Sequence, residues 1–148
     1  MINQSYININ RIIAFITFIF SFIIYFDTMA PTVSYWDCGE FIAVSHILGV
    51  PHPPGSPFYL LLGRIFSMIP FSEDIAFRVN IISPLVSALA DMLLYLSIVK
   101  EITHWRGKIE NLTDGSVVFG GAVIGAMTFA FTDSHWFNAV EAEVYAFS

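Results

Sequence analysis

Apolar runs with few or no charges recur along the chain at lengths that fit membrane spans. Ile12 to Ala30 holds 19 residues with Asp27 as its one charge. Val79 to Val99 holds 21, interrupted by Asp91, and Val117 to Thr132 holds 16 with no charge. About 20 apolar residues cross the hydrocarbon core, so each run predicts a transmembrane helix. The first also fits a cleaved signal peptide, because Thr28 and Ala30 are small residues at plausible cleavage positions. Pro31 directly after that point is hostile to a peptidase that needs an extended substrate, which favours a retained helix. A fourth apolar piece, Pro57 to Phe71, carries Arg64 in its middle and is short for a span.

The basic residues arbitrate how many runs cross. If Pro57 to Phe71 stays on the outer face, Arg11, Lys100, Arg106 and Lys108 all fall on the cytoplasmic side, as positive charges near spans do. If it crosses, the basic residues split between the two sides. The pattern therefore predicts an all-α membrane protein with three transmembrane helices, at about 12–30, 79–99 and 117–132. Residues 31–78 form a long first outer loop. That loop contains FIAVSHILGV and YLLLGRIFSMI, too apolar for a free loop, and is expected to hold interfacial helices. The N-terminus is expected in the cytoplasm and residues 133–148 outside.

Composition supports a membrane protein and excludes other classes. Of 148 residues, 56% are hydrophobic and 12% charged, too few charges to cover a soluble domain. Aromatic residues at 16% exclude a disordered chain. Six Lys and Arg against 12 Asp and Glu lack the basic footprint of a nucleic-acid binder. The single cysteine, Cys38, cannot form an internal disulfide.

Three polar groups fall on the predicted outer side. In Ser34-Tyr-Trp-Asp37-Cys-Gly-Glu40, a helix would place Asp37 and Glu40 on one face, where two carboxylates can supply a general base. The same spacing also fits capping boxes at a helix start. Around His52, the prolines of VPHPPGSP impose a rigid turn that could present the imidazole to a phosphate or hydroxyl, or simply tie the loop. Glu141 and Glu143 follow the third span; with Asp133 and His135 they could supply hard ligands for a divalent ion, or form a solvated acidic loop. Arg64 and Arg78 are the outer cations, suited to an anionic ligand or to anchoring in the interface. Gly121 and Gly125 have the G-x-x-x-G spacing that lets helices approach closely. Asp91, in mid-span, must face other helices rather than lipid.

The segment TVSYWDCGEFIAVSHILGVPHPPGSPFYLLLGRIFSMIP, followed by FRVNIISPLVSALADMLLYL, resembles a family of multi-pass membrane proteins. Many of its bacterial members carry no assigned function, and its animal relative is a transmembrane protein O-mannosyltransferase of the GT-C glycosyltransferase superfamily. The resemblance implies transfer of a mannose-like sugar from a polyprenyl-phosphate carrier to a hydroxyl of a protein or glycan acceptor. It maps the acceptor base onto Asp37, with Glu40 as neighbour or substitute. Glu141 and Glu143 would position the acceptor or, in metal-dependent branches, a divalent ion; His52, Arg64 and Arg78 would lie near the lipid phosphate. It further implies a site facing outside a bacterial inner membrane. Family members have many more spans, so residues 1–148 are expected to be the N-terminal transmembrane part of one GT-C-like domain, incomplete and inactive alone. Two other readings stand beside it: a transporter or channel subunit, suggested by Asp91, and a non-catalytic assembly module, suggested by the glycine pair.

Overall fold

The computed structural model describes residues 4–53, 56–107, 109, 111–142 and 144. These residues form seven helices and no strand: α1 (Gln4–Thr28), α2 (Cys38–Ile47), α3 (Pro57–Met68), α4 (Ile75–Asn80), α5 (Ile82–Arg106), α6 (Leu112–Ala130) and α7 (Asp133–Ala139). Three helical stretches are long and apolar enough to cross a membrane: Ser5–Thr28, Ile75–Arg106 and Leu112–Ala130. The protein is thus an all-α, multi-pass membrane protein.

The spans sit where the apolar runs predict them, with longer ends. The first helix begins eight residues before Ile12, because Gln4 to Arg11 contains no proline or glycine to stop it. The second gains a turn at its start and seven residues, Lys100 to Arg106, at its end, with Ile81 as a joint between α4 and α5. Helix α6 starts at Leu112 because Asn111 caps it, its side chain accepting from the Asp114 N–H at 2.8 Å. Arg106 pairs with Asp114 at 2.9 Å beside this cap. Helix α3 has 12 residues, a rise of about 18 Å, which is too short to cross a core of roughly 30 Å.

The chain divides into two compact units. One comprises residues 1–21 and 88–132, the other residues 22–87 and 133–148. The first packs Ala14, Tyr95, Val99, Val118, Phe119, Ala122 and Ala126 into its core. Small residues on α6 let its neighbours close in: a Cβ on Gly125 would stand 3.0 Å from the Ile98 side chain. Gly121, by contrast, faces nothing within 4 Å, so only one glycine of the G-x-x-x-G pair is used in this packing. Asp91 lies fully buried in this unit, as a carboxylate within a span requires.

The second unit holds the candidate site. Cys38, Phe41, Ile42, Tyr59, Leu60, Ala76, Val79 and Ile82 form its core, joining α2, α3 and α4. Helices α2 and α3 meet at Gly63, where a Cβ would fall 2.4 Å from Ser45 Oγ and 2.7 Å from Ser45 Cβ. Asn80, fully buried, donates from Nδ2 to the carbonyls of Ala30 and Thr32 at 2.8 and 2.9 Å. The Ala30 N–H in turn donates to the Val140 carbonyl at 2.8 Å. These bonds fix the segment leading into α2 against α4 and the chain following α7.

Candidate functional site

The site is built at the start of α2. Trp36, immediately before it, has φ 59, a left-handed conformation that costs a non-glycine residue roughly 1–2 kcal/mol. Its indole is 84% exposed, so burial of the ring does not offset that strain. Asp37 follows as the N-cap residue, yet its side chain makes no capping hydrogen bond. Neither predicted capping box forms. Ser34 Oγ donates to Glu141 Oε1 at 2.6 Å instead of to the helix start. Glu40 accepts from His52, through the backbone N–H at 2.8 Å and Nδ1 at 2.7 Å. The local polar groups are therefore spent on long-range contacts, which leaves the Asp37 carboxylate exposed.

His52 lies between the two acids. Its Nδ1 faces Glu40 and its Nε2 stands 3.8 Å from Asp37 Oδ2. The hydrogen bond to Glu40 raises the imidazole above the ordinary histidine range, reinforced by the charges of Glu40 and then Asp37. The same bond, with the His52 backbone N–H, holds the Glu40 carboxyl below the usual carboxylate range. An imidazolium at this position bridges the two carboxylates and offsets their repulsion. Phe41 supports the ring from one side, its centroid 6.1 Å away.

Glu141 is brought to the same helix start. Besides Ser34, it accepts from Cys38 Sγ at 3.4 Å through Oε2. Nothing in the spacing signals this, since Glu141 lies more than 100 residues from both Ser34 and Cys38. Glu143 lies outside the described residues. On α7, the His135 ring packs edge-on against Tyr25, with centroids 6.0 Å apart. Among the described residues, the group close enough to share a metal ion is Asp37, Glu40 and His52, with donor atoms within 4.8 Å of one another. Two carboxylate oxygens and an imidazole suit a divalent cation, which would compete with the proton for His52.

Arg64 and Arg78 are the only Lys or Arg residues of this unit. Arg64 donates from Nη1 to the His46 carbonyl in the last turn of α2. Arg78 donates from Nε to the Ser72 carbonyl at 2.5 Å and from Nη1 to the Ser67 carbonyl at 3.0 Å, in the last turn of α3. Both guanidiniums thus complement helix C-terminal ends, where carbonyls lack partners and the dipole favours positive charge.

Fold and site together define a helical multi-pass membrane protein carrying a carboxylate–imidazole–carboxylate cluster at the start of a short helix. Residues 37–148 match the protein family described as the protein O-mannosyl-transferase TMEM260 N-terminal domain, and the chain belongs to that family. It is 33% identical over 132 residues to protein O-mannosyl-transferase tmem260 of Dictyostelium discoideum, covering 87% of this chain. It is 32% identical over 111 residues to protein O-mannosyl-transferase TMEM260 of Mus musculus, covering 74% of this chain. In each case it spans about 14% of the relative's length. No solved structure matches it.

Proposed function

We propose that the chain is the N-terminal part of a GT-C-type glycosyltransferase that moves a mannose-like sugar from a polyprenyl-phosphate carrier to a protein or glycan hydroxyl. The observation that carries this reading is the uncapped Asp37 carboxylate, exposed beside the Glu40–His52 pair in a chain whose relatives are named O-mannosyl-transferases. In the reaction, the acceptor oxygen forms a bond to the anomeric carbon while the carbon–oxygen bond to the carrier phosphate breaks. The acceptor proton passes to Asp37, and the carrier leaves as its phosphate. Glu40 holds His52 charged and oriented, which places a cation beside the base and suits His52 to the phosphate. Arg64 and Arg78 join that role if phosphate replaces their main-chain carbonyls. Glu141, anchored to Ser34 and Cys38, positions the acceptor side together with Glu143.

The proposed orientation puts this site outside the cytoplasm, on one GT-C-like domain. The test is transfer by the full-length protein from a polyprenyl-phosphate-mannose donor. Asp37→Asn is expected to lower the rate by about 10²–10⁴-fold, the range of general-base catalysis, with donor binding retained. Undiminished transfer by both Asp37→Asn and Glu40→Gln overturns the assignment.

A further inference from the structure

The first unit contains a cavity of about 390 Å³ walled by α1, α5 and α6, remote in sequence from the residues of the candidate site. Its lining has two chemistries. Ile7, Leu96, Val99 and Phe119 supply apolar wall, while Arg11 and Lys100 supply positive charge. Each cation stands at the border of its helix's apolar run: Arg11 directly precedes Ile12, and Lys100 directly follows Val99. Basic side chains at the border of an apolar run reach towards lipid headgroups. Among the described residues, neither cation pairs with a carboxylate, whereas Arg106 is held by Asp114 at 2.9 Å. Asn10, also on the lining, has a buried Oδ1 with no hydrogen-bond partner. An apolar groove of about 610 Å³ runs between α1 and α6 and shares Tyr6 and Phe119 with the cavity.

We propose that this cavity binds an anionic phospholipid, its phosphate between Arg11 and Lys100 and its acyl chains along the apolar walls. Two cations on the lining, each at the border of an apolar run, complement the charge of such a lipid. Lipid binding here does not depend on the proposed transfer chemistry.

The experiment uses the full-length protein in phosphatidylcholine nanodiscs with a photoactivatable phosphatidylglycerol. Labelling is expected at residues 6–11 and 96–103, with competition by unlabelled phosphatidylglycerol and not by phosphatidylcholine. Arg11→Gln and Lys100→Gln should each weaken competition by about fivefold, the worth of one basic residue at an anionic surface. Arg11→Lys, which keeps the charge, should label normally, and its recovery shows that the helices are still assembled. Equal competition by both phospholipids, labelling elsewhere, or competition by polyprenyl phosphate alone overturns the proposal. So does a disulfide joining Thr103→Cys to a cysteine placed on another helix of the protein, since that would show protein filling the cavity.

Discussion

At the scale of single residues, the candidate site turns on which polar atoms are used locally and which are left for distant partners. Asp37 and Glu40 have the spacing of capping residues, and on spacing alone capping and catalysis cannot be separated. Tertiary contacts remove the capping boxes: Glu40 is taken by His52, Ser34 by Glu141, and the Asp37 side chain makes no capping bond. The His52–Glu40 contact has a definite pH signature. Because His52 is raised above its ordinary value, the stabilisation it gains is fully present below about pH 6.5 and is lost as pH rises through the folded-state value. Glu40, being lowered, contributes above its ordinary value and loses that contribution only as pH falls through its depressed one. The contact is therefore strongest in mildly acidic solution. Titration of carbon-labelled His52 by NMR should give a midpoint above 6.5, moving back towards 6.5 in Glu40→Gln. An unchanged midpoint in that variant would show that the pair is not formed.

At the scale of elements, helix lengths follow from the sequence while the close contacts between helices do not. The G-x-x-x-G pair draws the eye as a packing motif, yet Gly121 touches nothing within 4 Å. The demanding glycine is Gly63, an unremarked position within a leucine-rich helix, pressed against Ser45 of α2. Gly63→Ala should destabilise the protein by about 1–3 kcal/mol, because both the hydroxyl and the Cβ of Ser45 must give way. Gly121→Ala should be near neutral. Thermal unfolding of the two variants in one detergent distinguishes these outcomes. Arg64 and Arg78 belong to this scale as well, since their guanidiniums join the ends of α2 and α3 to neighbouring elements. Charge alone marks them as anion ligands; only the fold shows the carbonyls they already hold.

At the scale of the whole molecule, the described residues include three helices long and apolar enough to cross a membrane and two apolar ones too short to do so, and the distribution of basic residues proposes the orientation. Cysteine labelling tests it directly, because Cys38, the native cysteine, is fully buried and gives little background. Membrane-impermeant reagent added from outside should reach a cysteine placed at His52 or Asp133 and spare one at Gly107. Protection of His52 with exposure of Gly107 would reverse the orientation and move the proposed site to the cytoplasmic side.

The sequence by itself determined the class of protein, the three spans and the short length of α3. Hydrophobic length against bilayer thickness is a one-dimensional property, readable without knowing what packs on what. It also singled out Asp37, Glu40 and His52 through the company of their neighbours. Only the tertiary structure decided that the side chain of neither acid caps the helix, that Glu141 joins Ser34 and Cys38, and that Asn80 ties α4 to the segment after α1. The physical reason is that a hydrogen bond between residues 50 or 107 positions apart leaves no periodicity in the chain. It exists only once helices bring donor and acceptor within 3 Å.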